Sequence, residues 1–158
     1  MAHCCIFELS REHIPEDERL TADTFAEDTN FVGRVADYVT DTDDGERDFN
    51  LDWLNDTVNP DVFEFTQGQN GDRKIRLLPG GKEAFFGERL EKLKETVEAM
   101  EMADFTDRWK ILDLTDLITE KFTFYFTLDG TYYTIEEFLR ATSEGDEFHV
   151  GGVLDYHY

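Results

Sequence analysis

The sequence predicts a single α+β domain, in which a mostly antiparallel sheet of about five or six strands is packed by one long helix and several short ones. Three observations support this class. The length of 158 residues is typical of one domain. The chain is 40% hydrophobic, with 14 Phe and 6 Tyr, which is enough apolar material for a core. Alternating apolar segments separated by turn residues are typical of β-hairpins. We therefore treat residues 1–158 as one acidic domain.

The first part of the chain is predicted to form a strand, a polar segment and a helix. Residues 4–9 are mostly apolar and predict a short, partly buried strand. Phe31 and Val35 are separated by one helical turn and predict a helix over residues 31–40. Residues 41–61 are rich in Asp and predict a loop with only a short helical or extended piece near its centre.

Two hairpins are predicted further along the chain. The first joins residues 62–66 to 74–77, and the second joins residues 122–127 to 132–135. The dipeptide Asn70-Gly71 in the first connection is a strong signal for a tight turn. Residues 135–142 then predict a short helix, and residues 148–156 predict a last strand broken by two glycines. Residues 104–121 fit a helix or a strand.

The clearest element is a long helix over residues 82–102. Its apolar residues repeat at intervals of four and three and form one stripe: Phe86, Leu90, Leu93, Val97 and Met100. We interpret this stripe as the side that packs on the core. The same spacing fits a heptad, so a homodimer through this helix is the alternative interpretation.

The negative charge of the chain is concentrated in its first half. The formal net charge is −22, of which residues 1–72 carry −15, residues 73–110 carry +1 and residues 111–158 carry −8. An adaptation to high salt should spread carboxylates evenly, whereas a binding surface should concentrate them. The distribution therefore favours an anionic binding surface.

The densest acidic window supplies the candidate partner-binding residues. They are Asp37, Asp41, Asp43, Asp44, Glu46, Asp48, Asp52, Asp56 and Asp61. Wherever this window is helical, residues three or four apart lie about 5–6 Å from each other on one side. Phosphates along a nucleic-acid strand have a similar separation, so such a row can imitate a phosphate backbone. Like charges at this spacing destabilise a helix by a few tenths of a kcal/mol per pair, so local stability does not explain the row.

Composition also indicates where the protein is located and whether it binds nucleic acid or membranes directly. An excess of 22 negative charges disfavours direct binding to nucleic acid or to an anionic membrane. No segment has the roughly 20 apolar residues of a membrane span, and the first residues do not resemble a signal peptide. Two cysteines are too few for a secreted disulfide framework, so we expect a cytoplasmic protein.

We expect no metal site and no cofactor from the spacing of the potential ligands. Pairing of the first and last strands would bring His3, Cys5 and His157 together, but no zinc-binding spacing supports a site there. A calcium loop starting at Asp41 would have its glycine at position 5 instead of 6, and Asp52 at position 12 in place of Glu.

We also expect no catalytic residue. The two serines lie outside any nucleophile motif, and adjacent Cys4 and Cys5 in an apolar strand are more typical of buried filler. The segment Gly80-Gly81-Lys82 at a helix start would allow an anion site. The nearby basic residues favour internal salt bridges with the acidic excess instead.

Together these observations favour a non-enzymatic acidic inhibitor. It would present carboxylates in place of phosphates to a basic nucleic-acid-handling protein, such as a nuclease or its complex, in the manner of anti-restriction or anti-CRISPR proteins. One alternative is an immunity protein that neutralises a basic nuclease toxin. The other is a cytoplasmic enzyme from a high-salt organism, which the low number of lysines favours and the uneven charge disfavours.

Overall fold

A computed structural model describes residues 2–158 and confirms the α+β class. Within these residues the sheet has seven strands, slightly more than predicted. The strands are β1 (His3–Ser10), β2 (Tyr38–Asp41), β3 (Phe63–Gln67), β4 (Arg73–Leu77), β5 (Tyr125–Leu128), β6 (Thr131–Tyr133) and β7 (Glu147–His157). The helices are α1 (Ala22–Asp28), α2 (Asp44–Thr57), α3 (Gly81–Ala99), α4 (Met102–Phe105), α5 (Arg108–Asp116) and α6 (Ile135–Ala141).

The last strand, β7, organises the sheet. The strand order is β3-β4-β7-β1-β5-β6, and β2 also pairs with β7. Strand β1 runs antiparallel along one side of β7, whereas β4 and β2 share the other side, β4 near the start of β7 and β2 near its end. Among the described strands, β1 and β5 form the one parallel pair. Both edges of an 11-residue strand are thereby hydrogen-bonded.

Hydrophobic residues cover both faces of the sheet. On one face, Leu51 and Leu54 of α2 and Phe138 of α6 pack with the buried residues of β3, β4 and β7. On the opposite face, Phe25 of α1 and Phe31 of the following loop pack with residues of β1, β5 and β7. Side chains alternate between the two faces of a strand, so the period-two pattern of the strands supplies both cores.

The two glycines of β7 are needed for close packing and do not break the strand. The Glu8 carboxylate accepts hydrogen bonds from the Gly152 N–H at 2.7 Å and from the Leu20 N–H at 2.8 Å. A Cβ on Gly151 would lie 2.4 Å from that carboxylate, and one on Gly152 would lie 2.7 Å from the Leu20 carbonyl oxygen. The predicted interruption of the last strand is therefore wrong, because glycine here admits a neighbouring chain segment.

A buried arginine fastens α2 to the same place. The Arg47 guanidinium donates from Nε to the Gly151 carbonyl at 2.9 Å and from Nη2 to the Val150 carbonyl at 3.2 Å. Burial lowers the pKa of Arg47, and the positive charge of Arg19 adds to this. These bonds fix the position of α2 relative to β7.

The predicted helix over residues 31–40 is wrong. Phe31 is fully buried against Tyr125 and Tyr156, the chain reverses at Gly33 with a φ of 87°, and residues 38–41 form β2. The apolar residues that suggested a helix here are instead brought to the core by a tight turn. The helix of this region is α1, which begins after Thr21, whose side chain accepts a hydrogen bond from the Thr24 N–H.

The predicted loop over residues 41–61 is largely helical. It contains α2, a 14-residue helix that begins with a capping box between Asp43 and Glu46. The expected short helical piece is thus the buried centre of a longer element. Residues 104–121, for which the sequence allowed a helix or a strand, contain the end of α4 and all of α5.

The hairpin β3–β4 and the long helix α3 confirm the predictions, although α3 ends three residues earlier than expected. Of the residues of α3, all of which the structure describes, only Gly81 is fully buried. Phe85 and Phe86 pack against the core, whereas Leu90 and Val97 are exposed. The apolar stripe therefore packs mainly at its first turns, and a homodimer through the rest of it stays a prediction.

A membrane-spanning helix was not expected from the sequence. None of the helices in the described part of the chain is both long and apolar enough to cross a bilayer.

Candidate functional site

The nine predicted carboxylates are all exposed and lie on β2, on α2 and in the segments that flank them. Asp37 precedes β2 and Asp41 ends it, Asp43 precedes α2, and Asp61 lies in the turn before β3. The remaining five belong to α2: Asp44, Glu46, Asp48, Asp52 and Asp56. The surface is therefore built mainly on one helix.

Four of these residues form a row that we call the α2 acidic stripe: Asp44, Asp48, Asp52 and Asp56. Residues four apart in an α-helix are separated by about 6 Å along the axis and by about 40° around it. The stripe thus runs the length of α2 and winds slowly around it. The adjacent side of the helix carries Arg47, Leu51 and Leu54, which are buried. Burial of that side anchors the helix, and the four aspartates are exposed next to it.

Three of the nine carboxylates have structural roles. Asp41 Oδ1 accepts a hydrogen bond from the Ala22 N–H at 2.7 Å and so ties the start of α1 to β2. Asp43 accepts from the Glu46 N–H at 2.8 Å, while Glu46 accepts from the Asp43 N–H at 3.0 Å. Each of these acids satisfies backbone donors at a helix start, where negative charge is also favourable. These structural roles explain the presence of the three acids without a partner.

Two members of the α2 acidic stripe contact arginines of the same chain. Asp48 lies 3.7 Å from Arg47, and Asp52 lies 3.2 Å from Arg73. The side chains of Asp48 and Asp52 are 66% and 67% exposed, so water screens both pairs. Within residues 2–158, Asp44 and Asp56 have no ion pair. All four carboxylates therefore remain accessible to a partner.

The stripe is unfavourable for the helix that carries it. Asp56 lies in the last turn of α2, where the helix dipole disfavours negative charge, and that turn has no basic residue. Successive members are also like charges four residues apart. The stability of α2 therefore explains an acidic residue at Asp44, in the first turn, but not the continuation of the row to Asp56.

Replacing Asp56 by lysine should raise the free energy of unfolding by about 0.5–1 kcal/mol, because the new charge suits the end of the helix and attracts Asp52. Urea unfolding followed by circular dichroism measures this change. Asp44→Lys is the matched control, because it places the same charge in the first turn and should lower stability. Equal shifts for the two variants would contradict the dipole explanation.

Two exposed aromatic side chains lie beside the stripe. Phe49 is 72% exposed and Trp53 is partly exposed, although both belong to α2. They border a groove of about 600 Å³ between α2, β1 and β2, which His3, Cys4 and Asp155 also line. Sequence reasoning missed these residues because it treated most of this segment as a loop. Once the helix is known, the four-residue spacing between Phe49 and Trp53 places them together on a side of α2 that does not contain Leu51 and Leu54.

The pairing of β1 with β7 brings two histidines to one carboxylate, at the start of β1 and the end of β7. His3 Nδ1 and His157 Nε2 each lie 3.0 Å from Asp155. Cys5 is opposite Asp155 in the sheet, and burial, with Cys4 and Asp155 adding to it, raises the pKa of its thiol to about 12. Burial also raises the pKa of Cys4. Both thiols are thus protonated at neutral pH and poorly suited to act as nucleophiles or metal ligands.

The potential anion site at the start of α3 is occupied by the chain itself. The N–H groups of Gly80 and Lys82 donate to the Glu144 carboxylate at 3.0 and 3.2 Å. The nearby basic residues also contact carboxylates: Arg73 pairs with Asp52, Lys74 with Glu147 and Arg76 with Glu64. These contacts fit the internal salt bridges that the sequence favoured over a phosphate site.

Comparison with known proteins gives no relative, since no family model, no curated protein and no solved structure matches the chain.

Proposed function

We propose that this protein is a non-enzymatic inhibitor that presents the α2 acidic stripe, in place of nucleic-acid phosphates, to a basic nucleic-acid-handling protein. The partner would be a nuclease or nuclease complex of the kind that anti-restriction and anti-CRISPR proteins inhibit. The observation that carries the proposal is the row of four exposed aspartates on one helix, which is anchored to the core by its buried residues Arg47, Leu51 and Leu54. Such a row costs local stability, which is expected of a surface kept for binding.

The stripe has the rigidity that a mimic requires. Arg47 binds two carbonyls of β7, and Leu51 and Leu54 are fully buried, so α2 is held at several points. A rigid surface loses little conformational entropy on binding. Successive carboxylates of the α2 acidic stripe lie about 6 Å apart along the helix axis, a separation similar to that of phosphates along a nucleic-acid strand.

The mechanism is occlusion assisted by electrostatic attraction. A net charge of −22 attracts a cationic groove over a long range, and such steering raises association rates by about 10–10³-fold. After contact, Phe49 supplies apolar area beside the charges. Exposed aromatic residues of this kind often contribute much of the affinity of an interface. The bound protein then blocks access of the nucleic acid.

Neutralising the stripe tests the proposal. The variant Asp44→Asn/Asp48→Asn/Asp52→Asn/Asp56→Asn and the unaltered protein are added to a panel of restriction endonucleases, CRISPR nucleases and basic nuclease toxins. DNA cleavage and binding of the fluorescently labelled protein are measured at about 50 and 200 mM salt. We expect the unaltered protein to inhibit at least one panel member, more weakly at the higher salt. The variant should associate about 10–10³-fold more slowly.

A matched control separates the position of the charges from their number. Glu88→Gln/Glu91→Gln/Glu95→Gln/Glu98→Gln removes four exposed carboxylates from α3 and changes the net charge equally. This control should inhibit almost as well as the unaltered protein. Equal loss in both variants would show that net charge alone matters, and full inhibition by the α2 variant would refute the proposal. Inhibition of a toxin alone would identify an immunity protein that uses the same surface.

A further inference from the structure

A cluster of two histidines and an aspartate lies on the face of the sheet opposite α2. His149 belongs to β7, where it alternates with Phe148 and Val150 of the core beneath α2, so its side chain lies on the other face. His13 lies in the loop after β1, and Asp72 is the residue before β4. The fold thus joins three segments that are far apart in the chain.

The three side chains converge on one point. His149 Nδ1 lies 2.9 Å from Asp72 Oδ2, and His13 Nδ1 lies 3.3 Å from Asp72 Oδ1. The two imidazole rings meet edge to face, with their centroids 6.0 Å apart. One ligand atom from each residue lies within 4.8 Å of the other two, and no other His, Cys, Asp or Glu group in residues 2–158 does so.

The two distances, which end on different oxygens of Asp72, are close to the separation of neighbouring ligand atoms around a bound metal ion. A tetrahedral Zn²⁺ site with bonds of 2.0–2.1 Å has ligand atoms about 3.3 Å apart. Imidazole nitrogen and carboxylate oxygen are both usual zinc ligands, and three protein ligands leave a fourth position for water. We propose that His13, Asp72 and His149 bind one Zn²⁺ ion at this point.

Two of the three ligands are held in place before any metal binds. Asp72 and His149 have side chains that are only 17% and 19% exposed, whereas His13 is 61% exposed. The Asp72 carbonyl accepts from the Gly68 N–H, which closes the β3–β4 connection, and His149 is fixed in β7 between β1 and β4.

The neighbouring positive charges are neutralised. Lys74 is paired with His149 in the sheet, but its ammonium lies 3.4 Å from Glu147. Arg11, at the start of the loop that carries His13, lies 3.5 Å from Asp146. A divalent cation therefore meets little net repulsion, and the negative charge of the whole protein favours its approach.

The cluster at the strand ends provides a comparison of identical composition. His3, Asp155 and His157 are also two histidines and an aspartate, but their rings are stacked, with centroids 5.5 Å apart and an interplanar angle of 23°. His157 is stacked on Tyr38 as well, with centroids 4.3 Å apart. The two nitrogens contact different oxygens of Asp155, and no choice of one ligand atom from each residue brings all three within 4.8 Å of one another. This cluster should not hold zinc.

Isothermal titration of Zn²⁺ into the metal-free protein tests the site, with Mg²⁺ present to occupy surface carboxylates. We expect one Zn²⁺ per chain. Asp72→Asn and His13→Ala should each weaken binding by at least about 10–100-fold, since even indirect partners of a zinc site have effects of this size. Asp155→Asn should bind like the unaltered protein. Co²⁺ as a spectroscopic probe should give the visible absorption of a tetrahedral site, which is lost in His13→Ala.

Weaker binding by His13→Ala should not result from misfolding. His13 is exposed, so its replacement should leave the circular dichroism spectrum unchanged. Zn²⁺ should also raise the melting temperature of the unaltered protein but not of His13→Ala. The proposal is overturned if the unaltered protein binds no stoichiometric Zn²⁺. It is equally overturned if Asp155→Asn abolishes binding while Asp72→Asn and His13→Ala retain it. Neither outcome depends on the inhibitor function.

Discussion

Replacing Arg89 by methionine should lower the free energy of unfolding by about 3–5 kcal/mol, the usual result of leaving a buried carboxylate without its cation. Arg89 Nη1 donates to Glu136 Oε1 at 2.8 Å, and Glu136 has no exposed surface. The second carboxylate oxygen, Oε2, has no hydrogen-bond partner in the described residues. Among the described residues 2–158, Arg89 is thus the one cation that forms an ion pair with Glu136.

The same arginine holds α3 in position. Its guanidinium also reaches the Asp116 carbonyl in α5 and lies over the Phe85 ring at 4.3 Å from the centroid. Since α3 buries little else after its first turns, loss of Arg89 should loosen this helix as well as destabilise Glu136.

A double-mutant cycle measured by urea unfolding checks this prediction. In Arg89→Met/Glu136→Met the buried charge is gone, so most of the lost stability should return. Arg108→Met is the control, because Arg108 is exposed and its replacement should change stability by less than about 0.5 kcal/mol. A double variant as unstable as Arg89→Met would show that the ion pair is not the cause.

Replacing Gly152 by alanine should lower the free energy of unfolding by about 2–3 kcal/mol, because the added methyl group has no space. Its Cβ would lie 2.7 Å from the Leu20 carbonyl oxygen and 3.3 Å from Glu8 Oε2. The first neighbour is backbone and cannot rotate away. The loop that contains Leu20 must therefore move from β7, and the two hydrogen bonds of Glu8 weaken with it.

Gly87→Ala is the matched control for this substitution. Gly87 lies within α3, and a Cβ there would meet nothing within 4 Å. Alanine is favoured over glycine in a helix, so this variant should gain about 0.5–1 kcal/mol. Thermal unfolding of both variants measures the difference. If Gly152→Ala were as stable as the unaltered protein, the close packing of β7 against the Leu20 segment would be refuted.

Several elements could be predicted because their signals are local. The β3–β4 hairpin follows from alternation on both sides of a connection that contains Gly71, whose φ is 74°. Helix α3 follows from its apolar repeat and from the glycines before it. In each case, residues close together in the chain carry the information.

The region between β1 and β3 was predicted poorly because local signals there conflict. Acidic residues and Gly45 in α2 indicate a loop, and the capping box that starts the helix involves residues that resemble a turn. The apolar spacing after Phe31 indicates a helix, yet burial of Phe31 among three tyrosines requires a tight reversal. Tertiary packing outweighed propensity in both segments.

Composition and pattern were enough to assign the α+β class, the excess of negative charge, its concentration in the first half of the chain and the exposed acids of the α2 acidic stripe. These properties depend on residue types and on neighbours within one or two turns. The roles of Asp41 and Arg47, the groove beside Phe49 and the convergence of His13, Asp72 and His149 depend on contacts between distant segments. Such contacts arise only when strands pair and cores exclude water, so they follow from the folded sheet and not from any short stretch of sequence.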